Sequence, residues 1–172
     1  PGLVAAEVGW LATAGPGDAH RYALLADNGT GWALTDLALA SQDLLHVPLP
    51  GYFTQGQLLH VLANAGIDRL ITDQPDTVAR LGAGFTRVGD SPRTGFGLWA
   101  RDAGPPAPVP AGTVKVTYTS GSTAEPRGVC LSAPLLEAVA RSLADATAGL
   151  ALDRHLCLLP LATLLENVAG IH

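Results

Sequence analysis

Short apolar runs separated by longer amphipathic stretches set the tightest limit on what this chain can fold into. Residues 22–26 (YALLA) are apolar through their centre and end at Asp27, Asn28 and Gly29, so they read as a buried strand and its turn. From Thr30 onward Trp32, Leu34, Leu37, Ala38, Leu39 and Leu44 fall broadly on one side of a helix, and residues 45–50 read as the next strand. Thr54 followed by Gln57 and an apolar periodic run is a capping-box start, with Leu58, Leu59, Val61, Leu62 and Ala65 as its inner face and Gly66 as its stop. The same reading gives strands at 69–73, 85–88, 97–101, 113–118 and 155–161, and helices at 77–81 and 132–149, the last with Ser132 as N-cap. Strand-length and helix-length runs in alternation imply an α/β fold: a mostly parallel sheet with flanking helices.

Residues 103–112 (AGPPAPVPAG) hold four prolines and no hydrogen-bonding side chain, so they read as an extended surface connector. The expected organisation is therefore an N-terminal α/β subdomain over 1–102, the connector over 103–112, and a strand-helix-strand unit over 113–172. Composition supports a packed interior, since 48% of residues are hydrophobic and only 15% charged. The net charge of −5, with basic residues scattered singly, disfavours a nucleic-acid partner. Pro48, Pro50, Gly51, Gln55 and Gln57 interrupt the most hydrophobic region, so no membrane span is expected. No leader pattern opens the chain, and Cys130 and Cys157 read as small buried hydrophobes, which together point to the cytoplasm. The five histidines form no metal-binding spacing.

The segment that carries chemistry is 117–129, TYTSGSTAEPRGV. A strand runs directly into a loop of hydroxyl and glycine residues, the kit that holds phosphate: converging backbone N–H groups, a glycine for close approach, and donor hydroxyls. Arg127 adds a fixed positive charge. Pro126 stands where a Walker A loop needs its second glycine, and neither 82–84 nor 95–97 continues to a third glycine at dinucleotide spacing. No G-x-S-x-G surrounds any serine. Composition alone favours an ordinary polar turn, since serine, threonine, glycine and proline are what turns are made of.

In that order, Tyr118, Thr119, Ser120, Gly121, Ser122, Thr123, Pro126, Gly128 and Val129 resemble the phosphate-binding signature of the adenylate-forming (AMP-dependent synthetase) superfamily. Ala124 replaces the family's usual glycine and Arg127 its usual lysine. The first admits a Cβ only where φ is negative, and the second exchanges a compact ammonium for a planar fork. Residues 23–50 are similar to the family's early region. Residues 155–166 (HLCLLPLATLLE) resemble its downstream strand that ends Leu-Pro-Leu-Ala-His in long-chain acyl-CoA synthetases, with Thr163 in place of that histidine.

The resemblance implies activation of a carboxylic acid by ATP as an acyl-adenylate, then thioester formation with CoA or a carrier pantetheine. By it, Thr119, Ser120, Gly121, Ser122, Thr123 and Arg127 would hold the ATP phosphates, Thr119 would approach Mg²⁺, and Thr163 would line the acyl side of the site, with a fatty acid as the expected substrate. The family's magnesium-binding glutamate, its adenine and ribose contacts and its transfer lysine lie further along than this segment. Lys115 is not that lysine. The absence of any methionine and a close inside a strand-to-helix run imply a fragment that does not turn over alone, binds the remainder of its own polypeptide and self-associates through bare leucines over 158–171. The other reading is a binding or interaction module that kept the fold and lost the chemistry, with Ala124 as its trace.

Overall fold

The computed structural model describes residues 2–14, 20–119, 125–150, 154 and 156–171. Its strands are β1 (Tyr22–Leu25), β2 (His46–Pro48), β3 (Arg69–Thr72), β4 (Thr86–Asp90), β5 (Gly97–Ala100), β6 (Thr113–Thr119) and β7 (Arg127–Ser132). Its helices are α1 (Gly2–Ala14), α2 (Thr30–Ser41), α3 (Gln55–Asn64), α4 (Pro75–Leu81), α5 (Ala133–Thr147) and α6 (Leu164–Gly170). The strands form one seven-stranded sheet in the order β4-β5-β3-β1-β2-β6-β7. β1 pairs in parallel with β2 and β3, and β2 with β6, while β5 runs against β3 and β4, and β7 against β6. Five strands thus point one way, and the sheet is mostly parallel with helices flanking it.

Helices on both faces explain why β1 is apolar without alternation. Tyr22 and Leu24 pack with Leu11 of α1 and Trp32 and Leu39 of α2, whereas Ala23 and Leu25 pack with Leu58 and Leu62 of α3 and Val78 of α4. Successive side chains of a strand point to opposite faces, so each face of β1 receives its own helix layer. The capping box of α3 forms as its spacing dictates: Thr54 Oγ1 accepts from Gln57 N at 3.3 Å, and Gln57 Oε1 accepts from Thr54 N at 2.9 Å. Gly66 follows at φ +63, and a Cβ there would collide with Pro106 Cβ and lie 2.9 Å from Pro106 Cα. Backbone conformation and the close approach of the proline-rich segment both require glycine at that position.

Several expectations needed correction. α1 carries no 3.6-residue apolar stripe to betray it, yet it packs on α2 and buries Glu7, which accepts from Ser91 Oγ at 2.7 Å and from Thr35 Oγ1 at 3.4 Å. In α2 the inward side is Trp32, Thr35, Asp36, Ala38 and Leu39; Leu34 and Leu37 are only half-buried. β7 is an addition to the expected strands: the phosphate loop is expected to end at Arg127 and the next helix to begin at Ser132, and the residues between them pair with β6. Among the described residues of 155–161 no strand forms. Among the described residues no helix is long and apolar enough to cross a membrane.

Candidate functional site

The carboxyl ends of the parallel strands are where open α/β sheets bind ligands. Thr119 closes β6 at that end, and the chain returns as β7 with Thr119 registered against Arg127. The phosphate-loop segment therefore connects two antiparallel strands at the edge of the sheet. Thr119 and Arg127 are both exposed and face one another across its base. Ser120, Gly121, Ser122 and Thr123, with Ala124, lie outside the described residues. Where the loop rejoins the sheet, Glu125 Oε2 lies 3.9 Å from His60 Nδ1 of α3.

The base of the hairpin is packed tightly. A Cβ on Gly128 would sit 2.8 Å from Val116 Cγ1 and 3.1 Å from Tyr118 Cζ, so glycine leaves room for these two β6 side chains. Tyr118 turns into the core, and its hydroxyl donates to Asn64 Oδ1 at 2.6 Å, at the end of α3. Burial raises its pKa, with Cys130 adding to the rise and Arg21 opposing it. Tyr118 is a strut behind the loop.

On the opposite face of β6, Lys115 is fully buried. A buried ammonium must be paired, and Nζ donates to Asp36 Oδ2 at 2.9 Å and to Asn167 Oδ1 at 2.6 Å. Asn167 Nδ2 donates to Asp36 Oδ2 at 3.1 Å, and Asp36 Oδ1 lies 3.1 Å from His46 Nε2. The cluster ties α2, β2, β6 and α6 together. Burial pushes the Lys115 pKa down, and the Asp36 carboxylate resists that push.

The segment leading to α6 is held by side chains. Asn28, just after β1, donates from Nδ2 to Leu159 O at 2.8 Å and accepts on Oδ1 from Leu161 N at 2.8 Å. Leu159 N donates to Glu166 Oε2 at 3.3 Å. These partners take the place of a neighbouring strand. Thr163 is the N-cap residue of α6, half-buried, with its hydroxyl donating to Pro160 O at 2.7 Å. The Lys115 cluster and the Asn28 bracket were both missed from sequence; a lysine inside an apolar strand was the one visible signal for the first. Among the described residues no group of three or more His, Cys, Asp or Glu is arranged to hold a metal ion. A separate cavity of about 260 Å³, between α3 and α4, is lined by Leu25, Phe53, Gln74 and Arg80 among others.

Known proteins share this fold. The fold is that of a Rhodopseudomonas palustris protein assigned as a long-chain-fatty-acid CoA ligase, at a TM-score of 0.73 and 19% identity over 97% of this chain and 45% of that one. It is also that of the Bacillus subtilis o-succinylbenzoate coenzyme A synthetase solved with ATP and magnesium ion, at a TM-score of 0.72 and 20% identity over 98% of this chain and 45% of that one. The chain thus spans less than half the length of these structures. A polyketide synthase-nonribosomal peptide synthetase of Phaeosphaeria nodorum is 30% identical over 120 residues, 67% of this chain and 3% of its own. The model of the AMP-binding enzyme family matches residues 8–171. Matched along nearly its whole length, the chain belongs to the AMP-binding enzyme family.

Proposed function

We propose that this chain supplies the ATP-phosphate side of a site that activates a carboxylic acid. A carboxylate oxygen attacks the α-phosphorus of ATP, the bond from that phosphorus to the bridging oxygen breaks, and pyrophosphate leaves, giving an acyl-adenylate. The thiol of CoA or of a carrier pantetheine then attacks the acyl carbon and expels AMP. The observation that carries this reading is the ordered run from Tyr118 to Val129, which begins at the carboxyl end of β6 and brings Thr119 opposite Arg127.

In this reading Thr119, Ser120, Gly121, Ser122 and Thr123 hold the β- and γ-phosphates as charge builds on the departing pyrophosphate, and the Arg127 guanidinium adds a fixed counter-charge. Mg²⁺ prefers oxygen ligands and keeps several waters, so the exposed Thr119 hydroxyl suits it as one protein contact beside the phosphates. In the same reading Thr163 lines the acyl side. The run 159–162 (LPLA) favours a fatty acid over an amino or aryl acid. Leu156, Leu158 and Leu165 are 74%, 77% and 65% exposed, which suits a face covered by further polypeptide or by a second copy.

The test is pyrophosphate exchange into ATP by the full-length gene product, across fatty, aryl and amino acids. Exchange that depends on one class of acid supports the proposal and names the class. Nucleotide binding without exchange for any acid would favour the binding-module reading, for which Ala124 in the loop is the one specific sign.

A further inference from the structure

We propose that Lys115 and Asn167 form a positioning link that fixes the phosphate-loop strand and the acyl-side helix relative to one another. The proposal rests on the reading of Thr119 as a phosphate contact and Thr163 as part of the acyl side. Two short rigid levers meet at the link. Lys115, Thr117 and Thr119 alternate onto one face of β6, so Thr119 stands on the face that carries Asn167, about 13 Å along the strand from Lys115. Asn167 is one helical turn beyond Thr163, and its N–H donates to Thr163 O at 3.0 Å. The hydrogen bond of 2.6 Å from Lys115 Nζ to Asn167 Oδ1 joins the two levers at their inner ends.

What makes this more than packing is the inverted polarity of α6. The helix buries Glu166, Asn167 and Val168 while leaving Leu164 and Leu165 exposed. A seven-residue helix has little stability of its own, and this one is not seated by its leucines. Val168 and two polar side chains seat it: Asn167, held by Lys115 and Asp36, and Glu166, which holds Leu159 N. A buried lysine-carboxylate pair is a poor source of stability compared with apolar residues of the same volume; its contribution in this proposal is the direction of the hydrogen bonds that seat α6. The cluster therefore specifies where α6 sits against β6, and so where Thr163 sits against Thr119.

The test uses the full-length gene product in ATP-pyrophosphate exchange, with octanoate, dodecanoate, benzoate and the common amino acids as probes, and active sites counted by titration. Asn167→Leu removes the link and leaves the Lys115-Asp36 pair in place. It is expected to lower kcat per titrated site by about tenfold, the size of one lost hydrogen bond to a charged group, with ATP affinity changed by less than about twofold. Asn167→Gln keeps both the oxygen acceptor for Lys115 and the amide donor to Asp36, and should hold kcat within about threefold of wild type. If the leucine variant does not fold, Asn167→Ala gives the same reading. A variant that only loses folded protein, with kcat per titrated site unchanged, overturns the link, and so does a folded Asn167→Gln variant as slow as Asn167→Leu. A wild-type protein that exchanges with no acid overturns the reading of the site itself, and the link with it.

Discussion

The centre of the sheet and its β6-β7 edge are built on different terms. β1 is buried at every residue between two helix layers, whereas β7 exposes Arg127, Gly128 and Val129 along its first half. In the centre each side chain is fixed by packing, and hydrophobicity accounts for the choice of residue. At the edge the exposed Thr119 and Arg127 satisfy no packing demand, and only their order in the chain explains them. The Lys115 cluster lies between these regions: as buried as the core, yet polar.

That contrast can be broken by substitution. The largest expected effect is at the junction: Lys115→Met should lower stability by about 3–5 kcal/mol in chemical denaturation, because the Asp36 carboxylate is left buried and without its ammonium. A loss under about 1 kcal/mol would show that water reaches Asp36 and that the junction is not core. Next, Leu24→Ala in β1 should cost about 2–5 kcal/mol, while Val129→Ala in β7 stays within about 0.5 kcal/mol. Equal losses at the two positions would erase the distinction between centre and edge. A smaller effect sharpens the local side of the account: Thr54→Ala should cost about 1 kcal/mol through its capping box.

The smallest effect expected is in pH dependence. Because the folded-state pKa of Lys115 lies below its ordinary 10.5, the unfolded chain binds that proton more tightly. Stability contributed by this group therefore rises as pH climbs from the lowered value towards 10.5. Tyr22 and Tyr118, raised by burial, act in the opposite sense at high pH, so the measurement is the difference between wild type and Lys115→Met. A difference that does not change with pH in that window would contradict the shift.

The fold was legible where the signal is local. β1, β3 and the capping box of α3 are each specified by adjacent residues, and all three form where the pattern puts them. β7 was not legible because Arg127–Ser132 is short, begins with a charge and a glycine, and acquires its pairing only by folding back on β6. The run at 155–161 looked like a strand because it is apolar; Pro160 within it was the contrary sign, and Asn28, 131 positions before Leu159, supplies the hydrogen bonds a neighbouring strand would have given. Asp36 and Lys115 are 79 positions apart, and nothing local couples them. For the candidate site, the ordered signature marked the loop, while the hairpin that presents it and the cluster beneath it depend on tertiary pairing.

The most direct test of the central claim, that the loop from Thr119 to Arg127 holds the phosphates of ATP during acid activation, is pyrophosphate exchange by the full-length gene product carrying Ser122→Ala with Thr123→Ala. If these hydroxyls are preorganised donors to the departing pyrophosphate, acid-dependent exchange falls by about 10²–10³-fold while the protein remains folded. Exchange at the wild-type rate in that double variant would contradict the account.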